Sequence, residues 1–472
     1  MSGTSKHAST RHSAVVGAKN VGAEKVDTKS VGVQSCKVAL VGFGTVGSSV
    51  ARILCERSNT HLCLTHVLNR NVVRKKVDWL PPSVQWTENI DDVLSSDVDI
   101  VVEVMGGLQP TEDWIRRALQ SGKSVVTANK QLIAHCGLEL VSLALQMQQK
   151  IVFGASVAGG VPVISGLHEG LAGDELFKIR GILNGTCNYI LSQIERSGIP
   201  FATALREAQK LGFAEADPTE DIEGLDARAK LAILARVGLH CNVKPESIVA
   251  RSIAPIDAVD FEYANQLGCT IRQISWAELK KPELKTPESK TPESKAESNP
   301  KSKADLLFAA VQPALVELSS PLARVEGSQN LVVATGTYGG ETVFGGHGAG
   351  GSPTAVAVVS DILAIARSKQ AGTSFAGQPA EKTPTVTADF TAKHYLRFLV
   401  KDRPGIIASL ATILSQCGIN IDSVLQKPDC PKSHLPFLIT LEECKASLVE
   451  QALQQINQLD FLVQPCLHLP IL

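Results

Sequence analysis

The segment from Lys37 to Gly47, KVALVGFGTVG, decides the fold. Apolar residues from Lys37 to Gly42 predict a short strand, the glycines predict a tight turn, and residues 46–55 have the pattern of a helix. This order begins a βαβ unit. Further strand-like runs at 61–68, 98–105, 124–127 and 150–153 alternate with helix-length segments such as 113–120. We therefore predict an α/β fold with a doubly wound parallel sheet.

The turn itself has a ligand-binding pattern. It reads Gly42, Phe43, Gly44, Thr45, Val46 and Gly47, a G-x-G-x-x-G motif between a strand and a helix. Backbone N–H groups and the helix dipole can hold a pyrophosphate there, so the motif predicts a Rossmann-like dinucleotide-binding domain. A tight turn without a ligand is the alternative.

The residues after the second predicted strand bear on cofactor choice. NAD sites usually carry an acid there, but residues 68–71 contain none, and Arg70 is followed by Arg74, Lys75 and Lys76. This pattern favours NADP over NAD, because positively charged side chains can bind the 2′-phosphate that only NADP carries. A basic solvated loop is the alternative.

Composition excludes several classes of protein. The chain has 472 residues, which at about 100 to 200 residues per domain suggests two to four domains. Its 46 Lys and Arg balance 47 Asp and Glu, so we expect no nucleic-acid partner and no membrane partner. The 11 cysteines form no C-x-x-C pair, which argues against a zinc ribbon or a secreted disulfide framework. We expect a soluble protein of the reducing cytosol.

Composition shifts also suggest the domain organisation. We expect a disordered tail at 1–35 and a dinucleotide-binding domain at 36–152, completed by about 345–368. An α+β domain for substrate binding and dimerisation follows at 153–344, with a helix at 222–237. It carries a disordered insert at 279–303 that repeats TPESK in tandem. A linker at 369–392 leads to a ferredoxin-like βαββαβ domain at 393–472, whose last strand is expected at 461–467.

Several polar residues follow predicted parallel strands, where open α/β sheets bind ligands. They are Gly106, Gly107, Thr127 and Lys130. Farther along, Asp226 and Lys230 are four residues apart and share one helix face. On a surface this would be a weak ion pair. In an enclosed site the lysine could transfer a proton.

These motifs, taken in order, resemble homoserine dehydrogenases that carry a C-terminal ACT domain. The resemblance rests on the glycine motif, VMGG at 104–107, TANK at 127–130, AGGVP at 158–162, NGTCNY at 184–189, the acidic stretch 215–230 and GAGGSPT at 348–354. It implies NADP- or NAD-dependent interconversion of L-homoserine and L-aspartate 4-semialdehyde, in the biosynthesis of threonine, methionine and isoleucine. A different amino-aldehyde dehydrogenase, or a non-catalytic amino-acid sensor that binds a nucleotide, is the alternative.

The resemblance also implies residue roles. Lys230 would be the catalytic acid/base, with Asp226 and Lys130 positioning the reacting oxygen and relaying protons. Glu215 and Asp221 would bind the substrate's amino group. The cofactor would be contacted by Asn184, Gly185, Thr186 and Gly350 in addition to the residues named above.

Two regulatory features follow from the same resemblance. Family members usually hold a monovalent cation with a glutamate where this chain has Gly154. Without that charged ligand a Na⁺ site would be weak and would rest on the carbonyls of Val157, Gly159 and Val161. ACT domains pair edge to edge and bind an amino acid. Here that implies a homodimer or higher homo-oligomer, with threonine bound near Gly405, Gly418 and Asn420.

Overall fold

The computed structural model describes residues 35–57, 61–280, 306–371, 383–427 and 430–472. Residues 36–472 form one structural unit. The expected tail, apart from Ser35, lies outside the described residues, as do residues 281–303 of the expected insert and 372–382 of the expected linker.

The first layer is a parallel sheet. Its strands are β1 (Cys36–Val41), β2 (Leu62–Leu68), β3 (Gln85–Thr87), β4 (Ile100–Glu103), β5 (Ser124–Thr127) and β6 (Ile151–Val152). Their order is β3-β2-β1-β4-β5-β6, and every pairing is parallel. β4 and β5 are buried at every position, as expected when helices cover both faces. The predicted doubly wound sheet is confirmed.

Helices connect and cover these strands. They are α1 (Thr45–Glu56), α2 (Val72–Lys75), α3 (Ile90–Leu94), α4 (Thr111–Gln120) and α5 (Lys130–Gln146). A later helix, labelled α12 in chain order (Gly351–Ala371), returns to this layer and packs against α1. Its buried residues Ala355, Val358 and Ile362 join the same apolar cluster as Val38 and Leu40 of β1. The glycine turn between β1 and α1 is thereby enclosed by a distant part of the chain.

The second layer is a mixed sheet with its own helices. Its strands are β7 (Leu176–Ile182), β8 (Val249–Ala250), β9 (Cys269–Lys280), β10 (Leu306–Glu317), β11 (Gln329–Gly336) and β12 (Gly340–His347). Its helices are α6 (Val163–Ser165), α7 (Gly185–Ser197), α8 (Phe201–Lys210), α9 (Thr219–Ile222), α10 (Leu225–Leu239) and α11 (Ala258–Gln266). α10 is almost wholly buried and also packs against α5, so it joins the two layers.

Two expectations in this layer were wrong. The helix expected at 222–237 is broken, because Gly224 adopts a left-handed φ of 76° between α9 and α10. The insert was expected to start at 279, but Leu279 and Lys280 are the last residues of β9. There they pair with Leu307 and Leu306 of β10, whose ladder runs in register to Cys269 and Glu317.

The C-terminal block has the predicted βαββαβ order. It contains β14 (Thr391–Val400), α13 (Ile406–Gln416), β15 (Ile421–Gln426), β16 (Leu435–Lys445), α14 (Ala446–Ile456) and β17 (Leu467–Ile471), preceded by β13 (Thr385–Thr387). Its last strand starts at Leu467, six residues later than the predicted start. Pro465 lacks the N–H that a strand needs, and Phe461 is instead buried in the core of the block.

This block is not separated from the second layer. β17 pairs with both β10 and β14, so the two parts share one sheet with the order β12-β11-β7-β9-β10-β17-β14-β16-β15. The linker expected at 369–392 is therefore wrong at both ends: α12 continues to Ala371, β13 pairs with β10, and β14 begins at Thr391. Among the helices of the described ranges, none is long and apolar enough to cross a membrane.

Candidate active site

Three charged side chains meet where the two layers join. Asp226 lies in the first turn of α10 and is 4% exposed, and Lys230 follows one turn later. Lys130 is the first residue of α5, directly after β5 and Asn129. Asp226 Oδ2 is 2.7 Å from Lys230 Nζ, and Asp226 Oδ1 is 2.5 Å from Lys130 Nζ. The structure thus brings together the three residues expected to be catalytic.

The charges of this cluster support one another. Burial disfavours the Asp226 carboxylate, but the ammonium groups of Lys230 and Lys130 outweigh it and hold the pKa of Asp226 well below its usual range. Burial also opposes the charge on Lys130, yet the Asp226 carboxylate raises the pKa of Lys130 above its ordinary value. Asp226 therefore stays ionised and fixes both lysines.

Lys230 is oriented by two acceptors. Its Nζ donates to Asp226 Oδ2 at 2.7 Å and to the Leu183 carbonyl oxygen at 2.8 Å. An ammonium group has three protons, so these two bonds leave one for a third acceptor. Leu183 follows the end of β7, and its carbonyl thereby fixes the direction of the Lys230 side chain.

Asp221 joins the cluster through Asn184. The Asn184 Nδ2 donates to Asp221 Oδ1 at 2.6 Å and to Asp226 Oδ2 at 2.9 Å. Burial raises the pKa of Asp221. The Cys187 thiol, which is fully buried, donates to the Asp221 carbonyl oxygen at 3.1 Å. Cys187 was not expected from the sequence, where only the NGTCNY motif around it stood out.

The other expected substrate and nicotinamide residues are arranged differently. Glu215 is exposed, and its carbonyl oxygen accepts a hydrogen bond from Gln209 at 3.1 Å. Within the described ranges, no hydrogen bond or ion pair joins its carboxylate to Lys130, Asp226 or Lys230. Thr186 donates to the Phe213 carbonyl oxygen at 2.7 Å and so ties this loop to α7. A Cβ on Gly185 would lie 2.7 Å from the Ser328 carbonyl oxygen, so close backbone packing requires glycine there.

Of the three glycines in this turn, only Gly44 leaves space for a ligand. A Cβ on Gly47 would lie 2.2 Å from the Gly42 carbonyl oxygen, whereas a Cβ on Gly44 would meet no atom within 4 Å. Gly42 itself has a φ of 106°. The Phe43 side chain is buried against Trp86, with ring centroids 4.9 Å apart, so only its backbone faces the turn. A pyrophosphate would therefore lie over Gly44.

A second helix end reaches this turn. Gly350 has a φ of 122° and precedes α12, whose first residue is Gly351. A Cβ on Gly351 would lie 2.9 Å from Ser49 Oγ and 3.0 Å from Thr45 Cγ2. The N-terminus of α12 thus abuts the first turn of α1. Two helix N-termini with close-packed glycines suit an anionic diphosphate, so these residues fit a dinucleotide.

A buried carboxyl group that the sequence did not single out organises the crevice. Glu103 ends β4 and accepts hydrogen bonds from Gly106 N at 3.0 Å and from Thr127 Oγ1 at 2.5 Å. Burial raises the pKa of Glu103. Asn129 caps α5 and donates to the Gly107 carbonyl oxygen at 2.6 Å. The Thr127 hydroxyl is thus used internally, and the network aligns the strand ends that present Gly106 and Lys130.

The basic residues after β2 are accessible. Arg70, Arg74, Lys75 and Lys76 are all exposed. Asn71 caps the short helix α2 by accepting from Arg74 N at 3.1 Å. The cations therefore stand on an ordered turn beside the carboxyl end of β2, close in the chain to the position where a ribose-binding acid is usual.

The region of the weak Na⁺ site contains a carboxylate from another part of the chain. Asp361 of α12 accepts a hydrogen bond from Gly154 N at 2.8 Å, and a Cβ on Gly154 would lie 2.7 Å from Asp361 Oδ1. Burial raises the pKa of Asp361 to about 7. The Val161 carbonyl oxygen already accepts from Val163 N at 2.8 Å. A glutamate at position 154 would need Asp361 to move.

The residues expected to bind an effector lie in the C-terminal block. Gly405 has a φ of 93° at the start of α13, and Gly418 has a φ of 71° just after that helix. Asn420 Nδ2 donates to Glu442 Oε2 at 3.1 Å. Both turns need the left-handed conformation that glycine adopts readily.

Comparisons with known proteins agree with this architecture. Family models match at 42–154 (Homoserine dehydrogenase, NAD binding domain), 162–363 (Homoserine dehydrogenase) and 394–461 (ACT domain). The homoserine dehydrogenase of Bacillus subtilis is 36% identical over 91% of this chain and 96% of its own length.

Solved structures give the same result. A homoserine dehydrogenase from Thiobacillus denitrificans has a TM-score of 0.81 and 31% identity, covering 93% of this chain and 98% of its own. A hyperthermophilic archaeal homoserine dehydrogenase in complex with NADPH has a TM-score of 0.56 and 27% identity, covering 70% of this chain and 97% of its own. The resemblance identified in the sequence is confirmed: the chain is an oxidoreductase that belongs to the homoserine dehydrogenase family, with a nicotinamide-binding domain and a C-terminal ACT domain.

Proposed function

We propose that this enzyme interconverts L-homoserine and L-aspartate 4-semialdehyde with NADP, and that it reduces the aldehyde during biosynthesis of threonine, methionine and isoleucine. The observation that carries the mechanism is the Lys130–Asp226–Lys230 cluster, in which one buried carboxylate fixes two lysines. The dinucleotide would be held by residues 42–47, Gly106, Gly107 and Gly350. When bound, it supplies or accepts the hydride.

Lys230 donates the proton in the reducing direction. As the aldehyde oxygen gains negative charge, the third proton of the Lys230 ammonium group moves to it, and the C–O group becomes the hydroxyl of homoserine. Lys130 stabilises the same developing charge as a second cation. Asp226 keeps both ammonium groups within reach, because each of its oxygens faces one of them.

Asp221 recognises the substrate's ammonium group, together with Glu215 from the exposed loop. Asp221 is part-buried beside Asp226 and Lys230, so it can fix the amino-acid end of a substrate whose oxygen lies at Lys230. A substrate without an ammonium group gains nothing from these carboxylates. This argument favours an amino-aldehyde over a simple aldehyde.

The test is absorbance of the reduced nicotinamide with purified protein, L-homoserine and NADP. We expect turnover in the wild type, and loss of at least 100-fold in kcat for Lys230→Ala with cofactor affinity unchanged. Lys37→Ala is the matched control, because Lys37 pairs with Asp97 on the surface away from the cluster. Full activity of Lys230→Ala would refute the assigned role, and no wild-type turnover would favour the nucleotide-binding sensor.

The preference for NADP is supported by the exposed cations after β2. Arg70→Ala should lower kcat/KM with NADP about tenfold and leave kcat/KM with NAD nearly unchanged, because only NADP carries the 2′-phosphate. Equal losses with both cofactors would contradict a specificity role for Arg70.

We also propose that threonine inhibits the enzyme by binding near Gly405, Gly418 and Asn420, and that the chain forms a homodimer. β15 is an edge strand of the shared sheet, and its residue Val424 is 44% exposed. An apolar edge strand is a template for pairing with a second copy. Sedimentation velocity with Val424→Lys, and turnover with added threonine, test the two statements separately.

A further inference from the structure

The contacts of Asn184 suggest a role other than cofactor binding. Asn184 is 3% exposed and caps α7, since its Oδ1 accepts a hydrogen bond from Cys187 N at 2.8 Å. This bond fixes the orientation of the amide, because only the oxygen can accept from a backbone N–H. The nitrogen must then face the two carboxylates, at 2.6 Å from Asp221 and 2.9 Å from Asp226.

Both donors of this amide are therefore used on acids. An asparagine NH₂ has two protons, and each finds one carboxylate oxygen. The backbone that carries Asn184 is equally fixed, because the neighbouring carbonyl of Leu183 accepts from Lys230 Nζ at 2.8 Å. Both N–H groups of the Asn184 amide are thus used in hydrogen bonds to Asp221 and Asp226.

We propose that Asn184 is a positioning residue that holds Asp221 and Asp226 side by side in their ionised forms, so that Asp221 can bind the substrate's ammonium group. This inference rests on the proposed function, since it takes Asp221 as the group that binds that ammonium. The inference goes beyond the proposed function, because it assigns the pairing of the two acids to a neutral residue between them.

The physical reason is charge repulsion. Two carboxylates near one donor nitrogen repel each other, and the better stabilised one forces a proton onto its neighbour. Two lysines stabilise the Asp226 carboxylate, so Asp221 is the acid that takes up a proton more readily. Burial raises the pKa of Asp221, and the charge of Asp226 adds to this. The hydrogen bond from Asn184 is the largest opposing influence, and the charge of Lys230 and the Thr186 hydroxyl also lower this pKa. Without Asn184, Asp221 would be protonated at a higher pH and would lose its attraction for an ammonium group.

Two substitutions test this. Asn184→Ser keeps an oxygen that can cap α7 but cannot reach both acids, and Asn184→Asp keeps size and cap but donates to neither. We expect the acid limb of kcat/KM for homoserine to move up by about one pH unit in Asn184→Ser and further in Asn184→Asp. At a pH just above the wild-type limb, KM should rise about threefold in Asn184→Ser and recover as the pH is raised.

Cofactor affinity separates this role from nicotinamide contact. We expect the Kd of NADPH, measured by fluorescence titration, to stay within twofold of wild type in both variants. Asn89→Ser is the matched control, because Asn89 also caps a helix but lies in the dinucleotide layer away from the acids. It should leave the pH profile unchanged.

Three results overturn or distinguish the proposals. An unshifted acid limb in Asn184→Asp refutes the positioning role, as does a tenfold rise in the NADPH Kd with an unshifted limb in Asn184→Ser. An unchanged homoserine KM in Asp221→Asn refutes the substrate-binding assignment instead, whatever the Asn184 variants do. Loss of fold in Asn184→Ser alone leaves the Asn184→Asp profile as the deciding measurement.

Discussion

Replacing Arg397 with methionine should destabilise the protein far more than loss of a surface charge would. Arg397 Nε lies 2.7 Å from Asp260 Oδ1, and the two side chains are 4% and 0% exposed. Tyr395 Oη donates to the same carboxylate oxygen at 2.6 Å. The pair joins β14 of the ACT block to α11 of the catalytic layer.

The magnitude follows from what the substitution leaves behind. Removing one partner of a buried ion pair costs about 3–5 kcal/mol, because the remaining charge is desolvated and uncompensated. Burial raises the pKa of Asp260, and Arg397 opposes that rise. In Arg397→Met the opposition is lost, so Asp260 takes up a proton more readily. We therefore expect the cost to be largest above neutral pH and to shrink as the pH falls.

The assay is urea denaturation followed by tryptophan fluorescence. Trp276 of β9 packs against Phe390, which precedes β14, with ring centroids 5.6 Å apart, so its emission reports on this part of the sheet. Arg403→Met is the matched control, because Arg403 and Asp460 form an exposed pair in the same block. It should change the free energy of unfolding by less than about 1 kcal/mol.

A double substitution distinguishes charge from packing. If the uncompensated charge causes the loss, Arg397→Met combined with Asp260→Asn should be more stable than Arg397→Met alone. A loss below about 1 kcal/mol in Arg397→Met, or strict additivity in the double variant, would refute the reasoning.

Three further outcomes are expected. Because the pKa of Asp361 is about 7 in the folded protein against an ordinary 3.8, the folded state binds more protons between these values and Asp361 destabilises it as the pH rises. Asp361→Asn should therefore gain about 2 kcal/mol relative to wild type between pH 5 and pH 8 in thermal unfolding, and a flat difference would contradict this. Gly47→Ala should lower Tm by several degrees, since its Cβ would lie 2.2 Å from the Gly42 carbonyl oxygen. Gly44→Ala should keep its Tm but weaken NADPH binding at least tenfold, because its Cβ meets only open space; unaltered affinity would remove the pyrophosphate from that point.

Local patterns predicted the parts of the fold that depend on local physics. The βαβ start at Lys37–Gly47 and the order of the C-terminal block follow from hydrophobic periodicity and glycine turns, and both are confirmed. The break at Gly224 was missed because the apolar spacing continues across it, although glycine can end a helix. The late start of β17 was missed because Pro465 was outweighed by its apolar neighbours.

Long-range contacts could not be read in the same way. The spacing of Asp226 and Lys230 predicted one ion pair, and the position of Lys130 after a predicted parallel strand placed it near the crevice. Only the resemblance joined Lys130, which is distant in the chain, to that pair. Glu103 and Asp361 carry no motif of their own. Each is a single acid in an apolar segment, and its partners, such as Thr127 and Gly154, belong to other elements. A buried acid in an apolar run is itself a signal, since its charge must be neutralised or satisfied somewhere.

A series of hydrogen bonds connects the ACT block to the part of the chain that carries the active-site acids. Arg397 Nη2 donates to the Pro255 carbonyl oxygen at 3.0 Å, so β14 holds segment 251–257 as well as α11. Within that segment, Ile253 N donates to the Ile222 carbonyl oxygen at 3.2 Å, and Ser252 Oγ donates to Glu223 Oε1 at 2.9 Å.

Residues 222 and 223 lie between Asp221 and Asp226 in the chain. A movement of β14 must therefore either break the contacts of Arg397 with Asp260 and Pro255 or carry α11 and segment 251–257 with it. Breaking the pair is the more costly alternative, since it leaves a buried charge without a partner. We therefore expect a movement of the ACT block that keeps these contacts to displace the backbone next to Asp221.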